Sequence, residues 1–331
     1  MKLASLKDDG RDGTLLVVDR DLTRAARVPG WPTVRGALEE WTRAEPDLRR
    51  AAAALADDPS AFPFDPRHCA APLPRAFQWL DGSAYLSHAE LVRKARGAEM
   101  PEILYREPMM YQGAADGLLG PTDAIMLPDE AHGIDLEAEI AVVTDDVPMG
   151  IFPAEAPAYI RLVMLVNDVS LRNLIPEELS KQFGFLNSKP VTAFSPVAVT
   201  PDELGPAWTG RRLDLPLTSR VNGTTIGSPH AGTDFDFDFA DLISHAAWTR
   251  TLSAGTIIGS GTVSNRAAAA GVSCLQELRM REKIATGEIR TPHLKFGDTV
   301  TIEMLDAAGA SIFGRIEQQV VAVALPQLNG T

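Results

Sequence analysis

Two glutamates spaced two residues apart are the first residues whose pattern indicates chemistry. Glu137 and Glu139 lie in the segment IDLEAEIAVV, which is predicted to be a strand. Residues i and i+2 of a strand project from the same face, so both carboxylates should point one way. Two like charges on a half-buried strand are costly unless something neutralises them. Either a divalent cation binds the pair, or this face of the strand meets solvent.

Two aspartates favour the cation. Asp168 follows the apolar run of residues 162–166, where a buried strand should end, and Arg172 comes four residues later. An acid at that place serves either as a helix cap or as a ligand. Asp81 precedes a glycine in a predicted turn of FQWLDGSAYLSH. Carboxylates without partnering thiolates or several histidines describe a hard-cation site, so we expect Mg²⁺, with Ca²⁺ or Mn²⁺ as alternatives.

Three further features could serve the same site. His88, in a predicted helix after Asp81, is a candidate general base, and a structural histidine is the alternative. Lys189 precedes a proline in a loop that contains glycine and serine, where an exposed lysine is the ordinary alternative. Gly261 and Thr262, in IIGSGTVSN, could bring backbone and a hydroxyl close to a ligand, or could form a plain β-turn.

The elements that must position these residues are mostly short strands. Predicted strands cover residues 136–144, 196–200, 213–221, 256–259 and 299–304, and predicted helices cover 88–98 and 240–252. Strands outnumber helices and the alternation of a doubly wound sheet is missing, so we predict a strand-rich α+β fold. The alternating segment 234–239 is predicted to be a half-buried strand, because it lacks the glycine and glutamate of a calcium loop.

The first seventy residues are predicted to form a small separate domain. Residues 13–20 have the pattern of a strand with its turn, and residues 33–55 have helical spacing. Five prolines between Asp57 and Arg75 predict an extended connector, because proline restricts its own φ and the preceding residue. We therefore predict a small N-terminal domain over residues 1–70 and a catalytic domain over residues 71–325.

Composition excludes several classes of protein. The 331 residues include 31 Lys and Arg against 44 Asp and Glu, and this net charge of −13 disfavours nucleic acid as a partner. Two cysteines cannot build a disulfide scaffold or a four-thiolate zinc site. The N-terminal segment soon becomes charged and no apolar run approaches the ~18 residues of a membrane span, so we expect a cytoplasmic protein without a membrane partner.

Taken together, the motifs resemble those of the fumarylacetoacetate hydrolase family. In chain order they are DGSAYLSH, MYQG, IDLEAEIAVV, VNDVSLRN, the Lys189 loop and GSGTVSN, within residues 75–320. The resemblance implies a mixed β-sheet roll that usually forms a homodimer, with a small N-terminal domain in the longer members. The activity it implies is hydrolysis of a carbon–carbon bond in a β-diketo acid. Fumarylacetoacetate, an intermediate of tyrosine or aromatic catabolism, is the first candidate substrate.

The same resemblance implies a role for each site residue. The metal ligands would be Asp81, Glu137, Glu139 and Asp168. His88 would activate the attacking water with Glu277 as its acidic partner, and Arg172 and Lys189 would stabilise the departing group. The residues expected to contact the substrate are Arg96, Tyr111, Gly261 and Thr262.

Two positions depart from the family pattern. Ile175 stands where the animal enzymes carry a glutamine, so one oxyanion donor is missing or comes from another group such as Asn173. Ser83 stands in place of a substrate-contacting tyrosine, with Tyr85 nearby. Acylpyruvate or fumarylpyruvate hydrolysis and a related decarboxylation or isomerisation therefore stay open. A non-catalytic protein that binds metal and ligand is the alternative from a different class.

Overall fold

The chain folds into many short strands and a few helices. The structure, a computed structural model, describes residues 1–8, 10–95 and 97–325. The strands are β1 (Lys2–Leu6), β2 (Thr14–Val18), β3 (Arg24–Arg27), β4 (Phe62–Pro63), β5 (Trp79–Gly82), β6 (Met110–Gly113), β7 (Ile125–Leu127), β8 (Ile134–Asp135), β9 (Ala138–Thr144), β10 (Ile160–Asn167), β11 (Ser170–Leu171), β12 (Ala193–Phe194), β13 (Ala198–Val199), β14 (Leu217–Val221), β15 (Thr224–Gly227), β16 (Ile257–Gly259), β17 (Thr299–Met304) and β18 (Ile316–Ala322). The α-helices are α1 (Val34–Glu39), α2 (Trp41–Ala54), α3 (Leu86–Ala95), α4 (Ile175–Ser180), α5 (Phe239–Ala246) and α6 (Leu275–Thr286). Among these ranges, every helix is too short or too polar to cross a bilayer.

Most strands belong to one large mixed sheet. Its order is β4-β3-β2-β1-β13-β10-β9-β16-β5-β6, and β12 pairs additionally with β10. A second sheet has the order β15-β14-β17-β18-β7, and β8 pairs with β11 in a two-stranded ribbon. The predicted strand-rich α+β class is therefore confirmed.

The central strand β9 is buried on both faces because the large sheet carries an apolar cluster on each side. Ala138, Ile140 and Val142 pack in one cluster, and Ala141 and Val143 pack in the other. Side chains alternate along a strand, so Glu139 shares its face with Ala141. A carboxylate at this place has no access to bulk water and must be compensated by other groups.

The register of the large sheet brings polar residues from separate parts of the chain together near the ends of its central strands. Glu139 on β9 lies opposite Val166, two residues before Asp168. On the other side of β9, Gly259 on β16 lies opposite Asp81 on the parallel strand β5. Asp81 in turn lies opposite Tyr111 on β6. Pairing of five neighbouring strands, in the order β10-β9-β16-β5-β6, thus places these groups together.

The N-terminal strands continue the large sheet. β1 pairs with β13 in antiparallel register, with Lys2 opposite Val199. Two helices occupy the region predicted as one, because Glu40 between them has φ −126° and ψ 37°. The proline-rich segment that follows contains the short strand β4 and a single 3-10 turn at Pro66–His68. The predicted domain boundary near residue 70 stays a prediction.

The strand predicted over residues 234–239 is wrong. Asp238 instead caps α5, since its carboxylate accepts hydrogen bonds from the backbone N–H groups of Ala240 and Asp241. The Asp241 carboxylate in turn accepts a hydrogen bond from the backbone N–H of Asp238, which completes a capping box. The phenylalanines are buried by packing rather than by strand alternation, as Phe235 stacks on Tyr85 at 5.0 Å between ring centroids. Helix α5 then ends at Ala246, before the predicted end at residue 252.

Candidate metal centre and acid–base pair

Four carboxylates gather at the edge of the central strands. One oxygen from each lies within 4.8 Å of the others, and all four residues are buried. They are the four predicted metal ligands, Asp81, Glu137, Glu139 and Asp168. Asp81 lies within β5 rather than in the predicted turn, and Asp168 follows the last residue of β10 and caps no helix. A backbone hydrogen bond of 2.9 Å, donated by Asp168 N–H to the carbonyl oxygen of Glu137, holds the segments that carry these two residues together.

Two glycines make room for Asp81. A Cβ on Gly259 would lie 2.4 Å from Asp81 Oδ1, so a side chain there would displace the carboxylate. Gly261 has φ +76°, and a Cβ on it would lie 2.4 Å from the carbonyl oxygen of Gly82. Its N–H donates to Asp81 Oδ1 at 3.1 Å. Both glycines are therefore needed for the close approach of the backbone to this carboxylate.

Two largely buried cations balance part of the negative charge. Lys189 Nζ lies 2.6 Å from Glu137 Oε2 and 2.5 Å from Asp168 Oδ2. Arg172 Nη2 donates to Glu137 Oε1 at 2.7 Å. Burial by itself would lower the pKa of Lys189, but the neighbouring carboxylates raise it above its ordinary value. Lys189 is thus a buried cation and not an exposed lysine.

A helix carboxylate holds the loop that carries Lys189. Glu178, on α4, accepts hydrogen bonds from the N–H groups of Leu186, Asn187 and Ser188 at 3.1, 2.6 and 3.2 Å. Ser188 Oγ donates to the same carboxylate at 2.5 Å. The backbone immediately before Lys189 is therefore fixed, which directs its side chain into the cluster.

The carboxyl groups of the cluster differ in their affinity for protons. Burial, reinforced by the charge of Asp168, raises the pKa of Asp81 well above its ordinary value. Burial and the charge of Asp81 raise the pKa of Glu139 in the same way. Burial also acts on Glu137, but Arg172 and Lys189 outweigh it and lower the pKa of that carboxyl. A cation beside Asp81 and Glu139 would therefore favour the ionised form of both carboxyls.

The donor set fits a hard divalent cation. Both carboxylate oxygens of Glu139 are buried and find no hydrogen-bond donor among the described residues. A buried carboxylate without a donor is rare unless a cation coordinates it. The four groups of the cluster offer oxygen only, which suits Mg²⁺, Ca²⁺ or Mn²⁺ better than zinc. These residues would hold the ion.

A histidine and a glutamate form a second unit beside the cluster. His88 lies on α3 and Glu277 in the first turn of α6, with 3.9 Å between His88 Nδ1 and Glu277 Oε2. The other oxygen, Oε1, accepts from Ser264 Oγ at 2.9 Å and from Arg281 Nη2 at 2.8 Å. Burial by itself would raise the pKa of Glu277, but His88 and Arg281 lower it below its ordinary value. Glu277 is thus an ionised carboxylate aimed at the imidazole.

Both units meet at a cavity of about 220 Å³. Eight of the predicted site residues line it: Asp81, His88, Tyr111, Glu137, Arg172, Lys189, Gly261 and Thr262. Glu139, Asp168 and Glu277 do not line the cavity and lie next to residues that do. Arg96, predicted to contact the substrate, lies outside the described residues.

Tyr111 lies between the cluster and the cavity. Its hydroxyl donates to both carboxylate oxygens of Asp168, at 2.9 and 2.8 Å. Its ring lies 5.3 Å from Lys189 Nζ and meets Phe185 edge to face. Tyr111 can therefore position Asp168 and Lys189 as well as contact a ligand.

Asn173 and Tyr85 are the candidate substitutes at the two positions that differ from the family pattern. Neither residue lines the cavity. Asn173 donates its amide to the carbonyl of Ala131, so it is not the substitute oxyanion donor. Tyr85 is fully buried and donates to the carbonyl of Ala231 at 2.6 Å. Ile175 and Ser83 themselves line the cavity. The two departures therefore change the lining and are not compensated by these neighbours.

Several supporting residues were missed by sequence reasoning. Thr192 Oγ1 donates to Asp168 Oδ1 at 2.8 Å, and Arg281 and Ser264 hold Glu277 as described above. No sequence signal separates these from ordinary polar residues. Asp135 is different, because it stands two residues before Glu137 and so continues the same acidic alternation. That spacing could have indicated its place beside the site.

The sequence matches two family models and is similar to several known proteins. Residues 78–321 match the family model described as "Fumarylacetoacetate (FAA) hydrolase C-terminal". Residues 1–75 match the model described as "Fumarylacetoacetase N-terminal domain 2". A 2,4-didehydro-3-deoxy-L-rhamnonate hydrolase from a Sphingomonas strain is 33% identical over 159 residues, 47% of this chain and 53% of that protein. A human mitochondrial oxaloacetate tautomerase is 27% identical over 184 residues, 55% of this chain and 54% of that protein.

Solved structures share the fold across nearly the whole chain. Maleylpyruvate hydrolase from Sphingobium sp. SYK-6, in complex with manganese(II) ion and pyruvate, superposes with a TM-score of 0.65 at 17% identity. A 2-hydroxyhepta-2,4-diene-1,7-dioate isomerase from Mycobacterium marinum superposes with a TM-score of 0.60 at 18% identity. Each match covers 98% of this chain and 100% of the other. At these identities the likeness concerns the fold alone.

Proposed function

The chain belongs to the fumarylacetoacetate hydrolase family, and on that premise we propose that it is a metal-dependent hydrolase that cleaves a carbon–carbon bond in a β-diketo acid. Fumarylacetoacetate, which would yield fumarate and acetoacetate, is the first candidate substrate. One observation carries the proposal: Asp81 and Glu137 of the four-carboxylate cluster and the His88 ring of the His88–Glu277 pair line a single cavity. The rhamnonate hydrolase among the relatives is consistent with this reaction class.

The metal ion would bind at Asp81, Glu137, Glu139 and Asp168. A divalent ion at such a site polarises a carbonyl oxygen and can orient a substrate that chelates it. Glu139 gives the clearest support for a bound ion, since its carboxylate oxygens have no hydrogen-bond donor in the described part of the chain. Mg²⁺ is our first candidate, with Ca²⁺ and Mn²⁺ as alternatives.

His88 would be the base that activates water. Its ring lines the cavity, and Nδ1 faces the ionised Glu277 at 3.9 Å. That orientation leaves Nε2 as the nitrogen to take a proton from water, while Glu277 stabilises the imidazolium that results. The oxygen of this water forms a bond to the carbonyl carbon, and the adjacent carbon–carbon bond breaks.

Lys189 and Arg172 would stabilise the departing group. Cleavage leaves the electron pair of the broken bond on an enolate, which must be stabilised until it takes up the proton that His88 removed from water. Lys189 and Arg172 line the cavity and are held as cations by the carboxylates beside them. Each charged donor of this type can contribute roughly 3 kcal/mol to the transition state. Tyr111, Gly261, Thr262 and Arg96 are the residues that we propose contact the substrate.

A spectrophotometric assay tests the reaction class. Purified protein with Mg²⁺ should bleach the ultraviolet absorbance of fumarylacetoacetate, chelator should stop the reaction, and renewed Mg²⁺ should restore it. A panel of other diketo acids, measured in the same way, ranks the substrates. Absence of turnover with every diketo acid under metal-replete conditions would overturn the proposed function.

The apolar part of the cavity favours acylpyruvate hydrolysis as a second candidate. Met109, Met110, Ile175 and Phe185 line the cavity together with the polar groups. Both cations of the described lining are already paired with carboxylates. An uncharged acyl group would lie well against these apolar side chains, whereas a second carboxylate would lose hydration there. Higher kcat/KM for an alkyl acylpyruvate than for fumarylacetoacetate would support this candidate.

Assembly and location are proposed on the same premise. We propose a homodimer, as the family resemblance implies, and light scattering on the purified protein measures its mass directly. The cytoplasmic location and the link to tyrosine or aromatic catabolism stay predictions.

A further inference from the structure

Another buried carboxylate lies next to the site without facing the cavity. Asp135 is 0% exposed and stands on β8, two residues before Glu137. It lies opposite Ser170 on β11, so the short ribbon fixes its backbone. A buried carboxylate in this position must be satisfied by specific partners.

The partners of Asp135 belong to two different units of the site. Oδ1 accepts from the N–H of Leu275 at 2.8 Å, and Oδ2 accepts from the N–H of Gln276 at 2.9 Å. Oδ2 also accepts from Arg172 Nε at 2.8 Å. One carboxylate therefore binds both the start of a helix and a buried guanidinium.

The first contact bears on the acid–base pair. Leu275 and Gln276 begin α6, where backbone N–H groups lack partners within the helix and a negative charge is favourable. Glu277 is the next residue, so its position depends on how this first turn is held. The cap residue Cys274 contributes only a thiol that accepts from Glu277 N at 3.4 Å.

The second contact bears on the metal carboxylates. Arg172 uses Nε for Asp135 and Nη2 for Glu137 Oε1, at 2.8 and 2.7 Å. The planar guanidinium holds its nitrogens in a fixed relation, so Asp135 determines where Arg172 meets Glu137. Loss of the Asp135 carboxylate would allow the Arg172 guanidinium to rotate away from Glu137.

We propose that Asp135 is a positioning residue that couples the two units, holding Glu277 and Glu137 at a fixed separation across the cavity. This inference rests on the proposed function, because it assumes that His88–Glu277 and the carboxylate cluster act on one substrate. A residue that only capped α6 would affect Glu277 alone. Coupling requires both units to respond to the same substitution.

Asp135→Asn tests the coupling. The amide keeps the size of the side chain but loses its charge and one acceptor oxygen. Removing the partner of a metal ligand commonly costs about 10–100-fold in metal affinity or activity. We expect the Kd for Mn²⁺, measured by calorimetry, to rise about 10-fold, and kcat at saturating Mn²⁺ to fall at least about 10-fold.

Asp145→Asn is the matched control. Asp145 also pairs with an arginine, through Arg161 Nε and Nη2 at 2.9 and 2.6 Å, but it follows the opposite end of β9. This variant should leave both measurements unchanged. Adding Cys274→Ser to Asp135→Asn supplies a better helix cap and serves as the second variant if the single one does not fold. The double variant should regain thermal stability while its Mn²⁺ affinity stays weak.

The outcomes separate coupling from its alternatives. Full recovery of kcat at saturating Mn²⁺ would mean that Asp135 acts on the metal carboxylates alone, and unchanged Mn²⁺ affinity would mean that it only caps α6. Either result overturns the coupling. A readout without turnover is the NMR signal of the His88 ring, assigned by its loss in His88→Ala, which should shift in Asp135→Asn and not in Asp145→Asn. If no diketo acid is turned over, the proposed function fails while the Mn²⁺ and NMR measurements still decide the coupling.

Discussion

Glu139 and Glu277 are two buried glutamates of the same site with opposite proton affinities. Glu139 is 0% exposed and Glu277 is 1% exposed, so burial does not distinguish them. Glu139 has other carboxylates as neighbours, and burial together with Asp81 raises its pKa. Glu277 receives hydrogen bonds from Ser264 and Arg281 and faces His88, and its pKa is lowered.

The difference shows that partners, rather than burial, assign each carboxylate its chemistry. A carboxylate crowded by like charges and without donors is suited to receive a cation. A carboxylate with donors and a cation of its own is suited to orient an imidazole. The two units should therefore respond differently to substitution.

The largest effect should come from Glu139→Gln. This variant removes one ligand charge while keeping the volume of the side chain. We expect Mn²⁺ affinity to fall at least about 100-fold, because a direct ligand should matter more than a residue that only supports one. Turnover should be lost with it. The metal-free variant should unfold at a temperature no lower than the wild type, since glutamine carries no charge into this buried position. Unchanged Mn²⁺ affinity in calorimetry would contradict the assignment of Glu139.

His88→Ala should separate the two units. General base catalysis contributes about 10²–10⁴-fold, so kcat should fall by that amount while Mn²⁺ affinity stays within about 2-fold of the wild type. His245→Ala is the matched control, because His245 is also a half-buried histidine on a helix, away from the cavity. Loss of metal binding in His88→Ala would mean that His88 is itself a ligand and that the base lies elsewhere.

Arg281→Met should have a smaller effect on the acid–base unit alone. The substitution removes one donor and a positive charge from Glu277, so the pKa of Glu277 should rise and its hold on His88 should weaken. We expect kcat to fall about 10-fold with unchanged Mn²⁺ affinity. Lys283→Met, on an exposed position of the same helix, controls for a general effect on α6. Equal losses in both variants would show that the helix, and not the contact with Glu277, is responsible.

The smallest effect concerns stability at acid pH. The folded pKa of Glu277 lies below its ordinary value of 4.5, so the unfolded chain takes up this proton first. Its contribution to the free energy of unfolding is therefore complete above about pH 4.5 and is lost as pH falls through the folded pKa. Glu277→Gln lacks this titration, so its stability should fall less steeply below that pH, by at most ~1.4 kcal/mol per pH unit. Denaturant titrations at several pH values measure the slopes, and identical slopes would contradict the lowered pKa.

Much of the fold was predictable because it depends on local pattern. The apolar runs around residues 136–144 and 162–166 predicted β9 and the end of β10, and their side chains are buried as expected. Segment 234–239 could not be predicted from alternation, because the capping box of Asp238 and Asp241 competes with a strand. The capping hydrogen bonds at the start of α5 determine the backbone conformation here, and tertiary packing buries the phenylalanines.

Part of the candidate site was likewise predictable from the sequence, and part was not. The spacing of Glu137 and Glu139 and the position of Asp168 after an apolar run were sufficient to predict an oxygen-ligand metal site, and the structure brings these groups together. Ile175, Met109 and Phe185, which line the cavity with them, carry no motif that marks them. Their selection depends on how α4 and two loops pack over the strands.

By itself, the sequence determined the chemical types available: two acids alternating along a strand, an acid after an apolar run, an acid beside a glycine, a histidine in a predicted helix, and glycines that allow close approach. These follow from side-chain identity and from spacing along one element, which are local properties. The tertiary structure alone decided which carboxylates ionise and which partners hold them. Asp81 and Asp168 are 87 residues apart in the chain, yet sheet register places their oxygens within 4.8 Å. Proton affinity depends on such distances and on exclusion of water, and neither exists until the strands have paired.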